Sequence, residues 1–426
     1  MTAGRRQVQG VILVALLVCS TATAGVVDGT TAVGDDRFLP DELHTFAAGD
    51  TASVGGADGP RVGDTTGATP RDGTVRVGVV GSAFDPDHAS VAGRVDGHRR
   101  LGGGPFGLQR TSETSHDTAV AEIVAERSPS ARLYLASVGA SPTPDRYATA
   151  VDWLLANDVD VIVDAGSYFP RTDDALRQFE RVAGRAAGEG AVFVTSAGNY
   201  AERHWRGRVS DPGWAAFDRS GATRNPLGEG ITDGRVTLRL YWESDANYDL
   251  YVYRRVPDGP DELVASSTRD AGRVEAVDTR LSGGEYYVRV YGHGGTGTVD
   301  LFAARTQLGH TTATGSALPP ATVDGVVSVG AVTDAGRVEP YSSDGEDVSA
   351  IDTVDTDAAG RFEGTSAAAP VVAGTVSTMV AHAGSDGVAP TRVEEILRET
   401  ADGRYDRVDP DQAVARAENV TAGGPS

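Results

Sequence analysis

Residues 364–370 read Gly-Thr-Ser-Ala-Ala-Ala-Pro and open an apolar, small-residue run, Val371 to Val380, with the look of a buried helix. Ser366 would then stand at a helix N-terminus, where unpaired backbone N–H groups and the positive end of the dipole can stabilise an oxyanion. That is the setting of an acyl-transfer nucleophile. A serine hydroxyl is a weak nucleophile until a base removes its proton, so the fold must bring it a histidine. His116 is the candidate. It lies in Ser115-His116-Asp117-Thr118-Ala119-Val120-Ala121, where Thr114 or Ser115 can cap a helix and put the imidazole at its positive end. That field favours the neutral, basic form of the ring. His44, His88, His98, His204, His293, His310 and His382 lack such a setting and read as surface or structural.

These strings resemble the motifs of the subtilisin-like serine peptidases, the subtilases. Their nucleophile pattern is Gly-Thr-Ser-x-Ala-x-Pro, and their His-Gly-Thr-x-Val-Ala is similar to residues 116–121 with Asp117 in place of glycine. Ser196-Ala197-Gly198-Asn199 follows a buried run and resembles the subtilase Ala-Gly-Asn segment, which implies Asn199 as the side-chain donor to the oxyanion. Tyr341 to Val348 is similar to the Phe-Ser-Ser-x-Gly segment that precedes the nucleophile, and Val408 to Val414 to the end of the domain. The resemblance covers Thr74 to Asn199 and Val323 to Ala415. It implies hydrolysis of peptide bonds through an acyl-enzyme on Ser366, with His116 as general base. It implies no cofactor for the chemistry and allows structural calcium, although acidic residues are too plentiful for metal ligands to be singled out. Asp164 and Gly166, in Val161 to Ser167, follow a strand that lines the substrate cleft in subtilases. An acidic side chain there would favour a basic residue in the substrate; the plainer reading is an exposed strand-end carboxylate.

One expected residue is absent. Val77 to His88 resembles the subtilase Val-Ala-Val-Ile-Asp-Thr-Gly-Val-Asp-x-x-His, and aligned without a gap the catalytic aspartate falls on Gly81, with Ser82 next. Neither can hold a charge against an imidazolium. Three carboxylates stand nearby. Asp85 lies on the same turn; Asp117 adjoins His116, but neighbours on a helix point away from each other; Glu122 is about 240° around the helix. The sequence identifies none of them. Loss of the acid costs about 10⁴-fold in turnover, or about 5–6 kcal/mol of transition-state stabilisation.

The elements that would carry these residues alternate. Short β-branched runs at Thr74 to Val80, Leu133 to Val138, Val159 to Val163, Ala191 to Thr195 and Val326 to Val332 suit buried parallel strands. Helical segments at Thr118 to Glu126, Tyr147 to Ala156, Asp174 to Ala187, Ser366 to His382 and Thr391 to Thr400 fall between or after them. The pattern predicts a doubly wound, mostly parallel α/β layer. From about Trp205 the texture becomes all-β, with alternation at Val236 to Trp242, Tyr248 to Tyr253, Glu285 to Tyr291 and Thr298 to Ala303. This stretch resembles the pre-peptidase C-terminal type of β-sandwich domain found in secreted peptidases. The expected organisation is a signal peptide at 1–24, a mobile lead or degenerate pro-segment at 25–73, and the first part of the α/β domain at 74–204. An inserted sandwich at 205–310, the second α/β part at 311–418 and a tail at 419–426 follow.

Arg5 and Arg6 precede the apolar run Val11 to Val18, and Ala22-Thr23-Ala24 supplies a small-residue cleavage signal, so the expected location is extracellular. The sole cysteine, Cys19, falls within that signal, so the mature chain would hold no disulfide. The chain of 426 residues carries a net charge of −22, and its basic residues are all arginine, a profile resembling proteins of salt-loving organisms. Such a balance argues against nucleic acid or anionic membrane as partners and leaves a protein or peptide substrate. The reading is an exported serine endopeptidase. Its alternative is a pseudopeptidase that binds a partner through Tyr241, Trp242, Tyr251 and Tyr253.

Overall fold

The computed structural model describes residues 74–101, 111–210, 212–383, 389–402 and 406–422; the signal-like segment and the lead lie outside these. Five strands come first: β1 (Val75–Gly81), β2 (Val95–Arg100), β3 (Ala131–Ser137), β4 (Val161–Asp164) and β5 (Val192–Ser196). The chain then builds β6 (His204–Ser210), β7 (Gly213–Trp214), β8 (Asn225–Trp242), β9 (Tyr248–Arg254), β10 (Glu262–Ser267), β11 (Val274–Gly292) and β12 (Thr296–Ala303). It returns with β13 (Val326–Val332) and β14 (Val348–Ile351), and adds a hairpin of β15 (Thr353–Thr356) and β16 (Gly360–Glu363). The helices are α1 (Thr111–Arg127), α2 (Pro144–Leu155), α3 (Asp173–Gly188), α4 (Thr365–Ala383), α5 (Pro390–Thr400) and α6 (Pro410–Ala422).

The main sheet has the order β14-β13-β5-β4-β1-β3-β2, and its strands pair in parallel. Its inner strands β4, β5 and β13 are nearly continuous apolar runs because both faces are covered, whereas the edge strand β2 is polar and has no buried residue. Val77, Val79, Val161, Val163, Val192 and Val194 point into the layer shared with α1, α4, α5 and α6. Val80, Ile162 and Phe193 point into the opposite layer, formed with α2 and α3. Thr143 and Thr172 start those two helices by accepting the N–H groups of Arg146 and Ala175, each at 3.3 Å. The expected doubly wound α/β layer is thus present, with the observed helix α1 starting seven residues before Thr118.

The strands expected to form a sandwich are joined into one additional antiparallel sheet, ordered β10-β9-β11-β8-β12-β6, with β7 paired to β11. Its core holds Trp205, Leu238, Leu240, Tyr248, Leu250, Val288 and Leu301. Tyr241 and Trp242 are buried, so of the four aromatics offered as a binding face only Tyr251 and Tyr253 reach the surface. The sheet is tied to the loop after β4: Arg239 Nε donates to Phe169 O (3.0 Å) and Tyr241 Oη to Pro170 O (3.1 Å). Among the described residues no helix is long and apolar enough to cross a membrane.

Candidate active site

Ser366 is the second residue of α4, and Gly364 precedes the helix with φ of 107°, a value that favours glycine. Asn199, just past β5, is locked onto this helix start. Its Oδ1 accepts from Thr365 N–H (3.1 Å) and Thr365 Oγ1 (3.0 Å), and Gly198 N–H donates to Thr365 Oγ1 (3.2 Å). A backbone N–H can only donate, so these bonds fix the amide orientation and leave Nδ2 a donor with no hydrogen-bond partner among the described residues, beside Gly364. The Ser366 N–H lies in the first helical turn, where backbone donors lack intrahelical acceptors. Ser366 Oγ donates to Ala165 O at 3.2 Å.

His116 stands in the second turn of α1, not at its start as expected, because the helix begins at Thr111. Its ring packs edge-on against Phe362 of β16, with centroids 5.0 Å apart. The hairpin bearing Phe362 is held in turn by Glu122. This buried carboxylate accepts from Asp357 N–H (2.5 Å), Ala358 N–H (3.0 Å) and Ser90 Oγ (2.9 Å). His116 makes no hydrogen bond to Ser366 among the described residues, and the serine hydroxyl is engaged by Ala165 O.

The partner of His116 is Asp117. Nδ1 of His116 is 2.8 Å from Asp117 Oδ1, and Asp117 Oδ2 accepts from Ala83 N–H at 2.9 Å. A Cβ on Gly81 would lie 2.6 Å from Asp117 Cγ and 2.8 Å from its Oδ2. The carboxylate therefore fills the space that a side chain at position 81 would enter. The expectation that consecutive helical residues diverge fails here for a reason in the packing. Successive residues are about 100° apart, and a short aspartate can turn back to the ring edge when a backbone donor and an open space draw it there.

Asp85 is not the partner of His116 Nδ1. Its Oδ1 accepts from Asp87 N–H (3.2 Å), and its own N–H donates to Thr118 Oγ1 (3.0 Å). Asp164 also differs from both readings of it. It is 0% exposed, so it cannot meet a substrate side chain directly. Tyr147 Oη donates to Oδ2 (2.8 Å), Tyr168 Oη to Oδ2 (3.0 Å), and Gly166 N–H to Oδ1 (2.9 Å). Burial raises its carboxyl to about 6; the hydrogen bonds from Tyr147, Gly166 and Tyr168 oppose the rise, and the charge of Asp117 adds to it. Burial likewise raises the Tyr147 and Tyr168 hydroxyls. Gly166 lines the cleft with Ala165 and Ser167, yet a Cβ there would come within 2.9 Å of Asp164 Oδ1.

A cavity of about 550 Å³ adjoins the site: Gly81, His116, Asp117 and Ala165 line it together with Tyr200, Arg235, Arg239 and Arg305, while Ser366 and Asn199 are not among its lining residues. The described residues contain no group of three or more His, Cys, Asp or Glu side chains placed to hold a metal, so no calcium site is assigned. Sequence reasoning missed Phe362 and Thr365, and it set Asp117 aside as a partner of His116. A signal for Asp117 existed: glycine stands where subtilases have aspartate, and Asp117 where they have glycine.

Residues 309–418 match the subtilase family, Peptidase_S8. No curated protein matches the chain. The CspB protease of Clostridium perfringens is similar in structure with a TM-score of 0.59 and 14% identity, over 82% of this chain and 94% of that one. A lanthipeptide protease (TM-score 0.46, 16% identity, 80% and 87% of the two chains) and the nisin leader peptidase NisP from Lactococcus lactis (0.46, 12%, 82% and 88%) are also similar. With its parallel sheet, the order of His116, Asn199 and Ser366 along it and the matched segment 309–418, the chain is subtilisin-like in fold and carries a subtilase family segment.

Proposed function

We propose that the chain is an exported serine endopeptidase in which Asp117 takes the part of the absent aspartate at position 81. The observation that carries this reading is the hydrogen bond of 2.8 Å between His116 Nδ1 and Asp117 Oδ1, made by a carboxylate that occupies the space above Gly81. A proton held on Nδ1 leaves Nε2 as the basic nitrogen, and the carboxylate stabilises the imidazolium formed when His116 takes the Ser366 proton. For that transfer the Ser366 hydroxyl leaves Ala165 O and turns toward the ring. Ser366 Oγ then attacks the scissile carbonyl carbon, and the oxyanion is met by Asn199 Nδ2 and the Ser366 N–H. The imidazolium gives its proton to the leaving amine, and water repeats the sequence on the acyl-enzyme.

The test is labelling with a fluorophosphonate, which reacts with activated serines. Wild-type protein is expected to label, and Ser366→Ala to abolish the signal; folded wild-type protein that stays unlabelled refutes the reading. A second reading, a binding protein that has kept the fold, draws on the engagement of Ser366 Oγ by Ala165 O. It expects no labelling at all.

A further inference from the structure

The cavity that holds His116 and Asp117 has a second wall, built by the additional sheet, and the charges on that wall differ from those of the chain as a whole. Three carboxylates line the cavity, and each is already committed. Asp117 is bound by His116 and Ala83, Asp164 by two tyrosines and Gly166, and Asp278 by Arg171 and Arg239. Arg239 is buried and its guanidinium spans Asp278 and Phe169 O, so it too is committed.

Arg235 and Arg305 are different. Both line the cavity, and neither guanidinium forms a hydrogen bond or ion pair among the described residues. Their placement follows from the strand pattern. Residues at alternate positions share a face of a strand, so β8 presents Arg235, Thr237 and Arg239 on one side, and all three line the cavity. Arg305 follows β12, which is fastened at the same place: Ala304 N–H donates to Thr237 O at 3.0 Å. Two cations that no described residue pairs with, Arg235 exposed and Arg305 half-buried, thus line one cavity in a chain whose net charge is −22. A guanidinium matches a carboxylate with two parallel N–H donors; half-burial strengthens such a pairing at Arg305, whereas at the exposed Arg235 solvent screens it.

We propose that the additional sheet completes the substrate cleft and that Arg235 and Arg305 select a peptide bearing an acidic side chain beside the scissile bond. This rests on the peptidase reading and names its substrate class. It reverses the expectation attached to Asp164, whose buried carboxylate offers nothing to a basic side chain while the two arginines repel one.

The experiment uses the full chain with Ser366→Ala, which binds without turnover, and fluorescein-labelled octapeptide pools with Glu, Gln or Arg fixed at successive positions. Binding is read by fluorescence polarisation. At one position at least, the Glu pool is expected to bind about five- to tenfold tighter than the Gln pool, less so as salt is raised. Adding Arg235→Glu and Arg305→Glu should shift the preference toward the Arg pool, with Arg235→Gln and Arg305→Gln giving an intermediate ratio and melting curves checking that each variant is folded. Glu pools that bind no better than Gln pools, whether both bind or neither does, overturn the proposal. So does a Glu preference that survives both substitutions. Because the binding arm needs no catalysis, its failure is distinct from failure of the peptidase reading, which shows as unlabelled wild-type protein.

Discussion

Asp117 Oδ1 lies 2.8 Å from Nδ1 of His116, the residue immediately before it in the chain. Two things hold it there, the Ala83 N–H on its other oxygen and the absence of a side chain on Gly81. The proposed function makes this carboxylate the counterpart of the acid that in subtilases reaches the histidine from the first strand; here it comes from the helix that carries the histidine. Position and tautomer of the imidazole depend on the carboxylate being present, and the backbone from which it comes is secondary.

Asp117→Asn should lower kcat by about 10⁴-fold with little change in KM, because the amide stabilises the wrong tautomer and carries no charge. Asp85→Asn should leave kcat within about threefold of wild type, since its carboxylate is turned to Asp87. Steady-state hydrolysis of a quenched fluorogenic peptide separates the two.

Gly81→Ala should harm both folding and activity. The added Cβ would stand 2.6 Å from Asp117 Cγ and 2.8 Å from Phe84 Cζ, closer than non-bonded atoms approach, so the carboxylate or the ring must shift. A loss of about 1–3 kcal/mol is expected in urea denaturation, with kcat falling as Asp117 is pushed from the ring. An unchanged midpoint and kcat would show that the space above residue 81 is not filled by that carboxylate.

Asn199→Ala should lower kcat by about 10²- to 10³-fold, the cost of one oxyanion donor. It also removes the acceptor for Thr365 N–H and Oγ1, so a drop in melting temperature accompanies the loss. Thr365→Val breaks the side-chain half of that anchor alone and should cost less in kcat than Asn199→Ala.

Asp164 gives the fold a pH dependence of definite sign. Burial raises its carboxyl from 3.8 to about 6, so the folded protein holds this proton more tightly than the unfolded chain does. The associated stability is fully present below about pH 4 and is lost as pH rises through about 6. A rise of that size corresponds to about 3 kcal/mol. Asp164→Asn cannot titrate, so the stability of wild type minus that of the variant should fall by about this amount between pH 4 and pH 7. A difference that stays flat over that range contradicts the assignment.

Most of the scaffold was legible because its strands are short apolar runs buried on both faces and its helices fall between them. Val326 to Val332 matches β13 to the residue, and Ser366 and Asn199 stand out in the sequence because their motifs are local strings. The acid was not legible. Its position depends on how closely β1 approaches α1, a tertiary distance that neither residue encodes alone, and helical rotation taken by itself argued against it. The exchange of residue types at positions 81 and 117 was the available clue. Asp164 differs from its expectation for a similar reason: a carboxylate at the end of an apolar strand looks exposed until Tyr147 of α2 and Tyr168 of the loop after β4 are seen to cover it. Strand β2 and the hairpin of β15 and β16 were missed because their sequences, with Gly97, Arg99, Arg100 and Asp355, show little apolar alternation.

The most direct test of the central claim is to move the acid back. The rate of fluorophosphonate labelling is measured for wild type, for Asp117→Asn, and for the exchange Gly81→Asp with Asp117→Gly in one chain. Asp117→Asn is expected to label about 10³- to 10⁴-fold more slowly than wild type, and the exchange to recover to within about tenfold of it. Wild-type labelling speed in Asp117→Asn would contradict the account, as would an exchanged protein that is folded and labels no faster than Asp117→Asn.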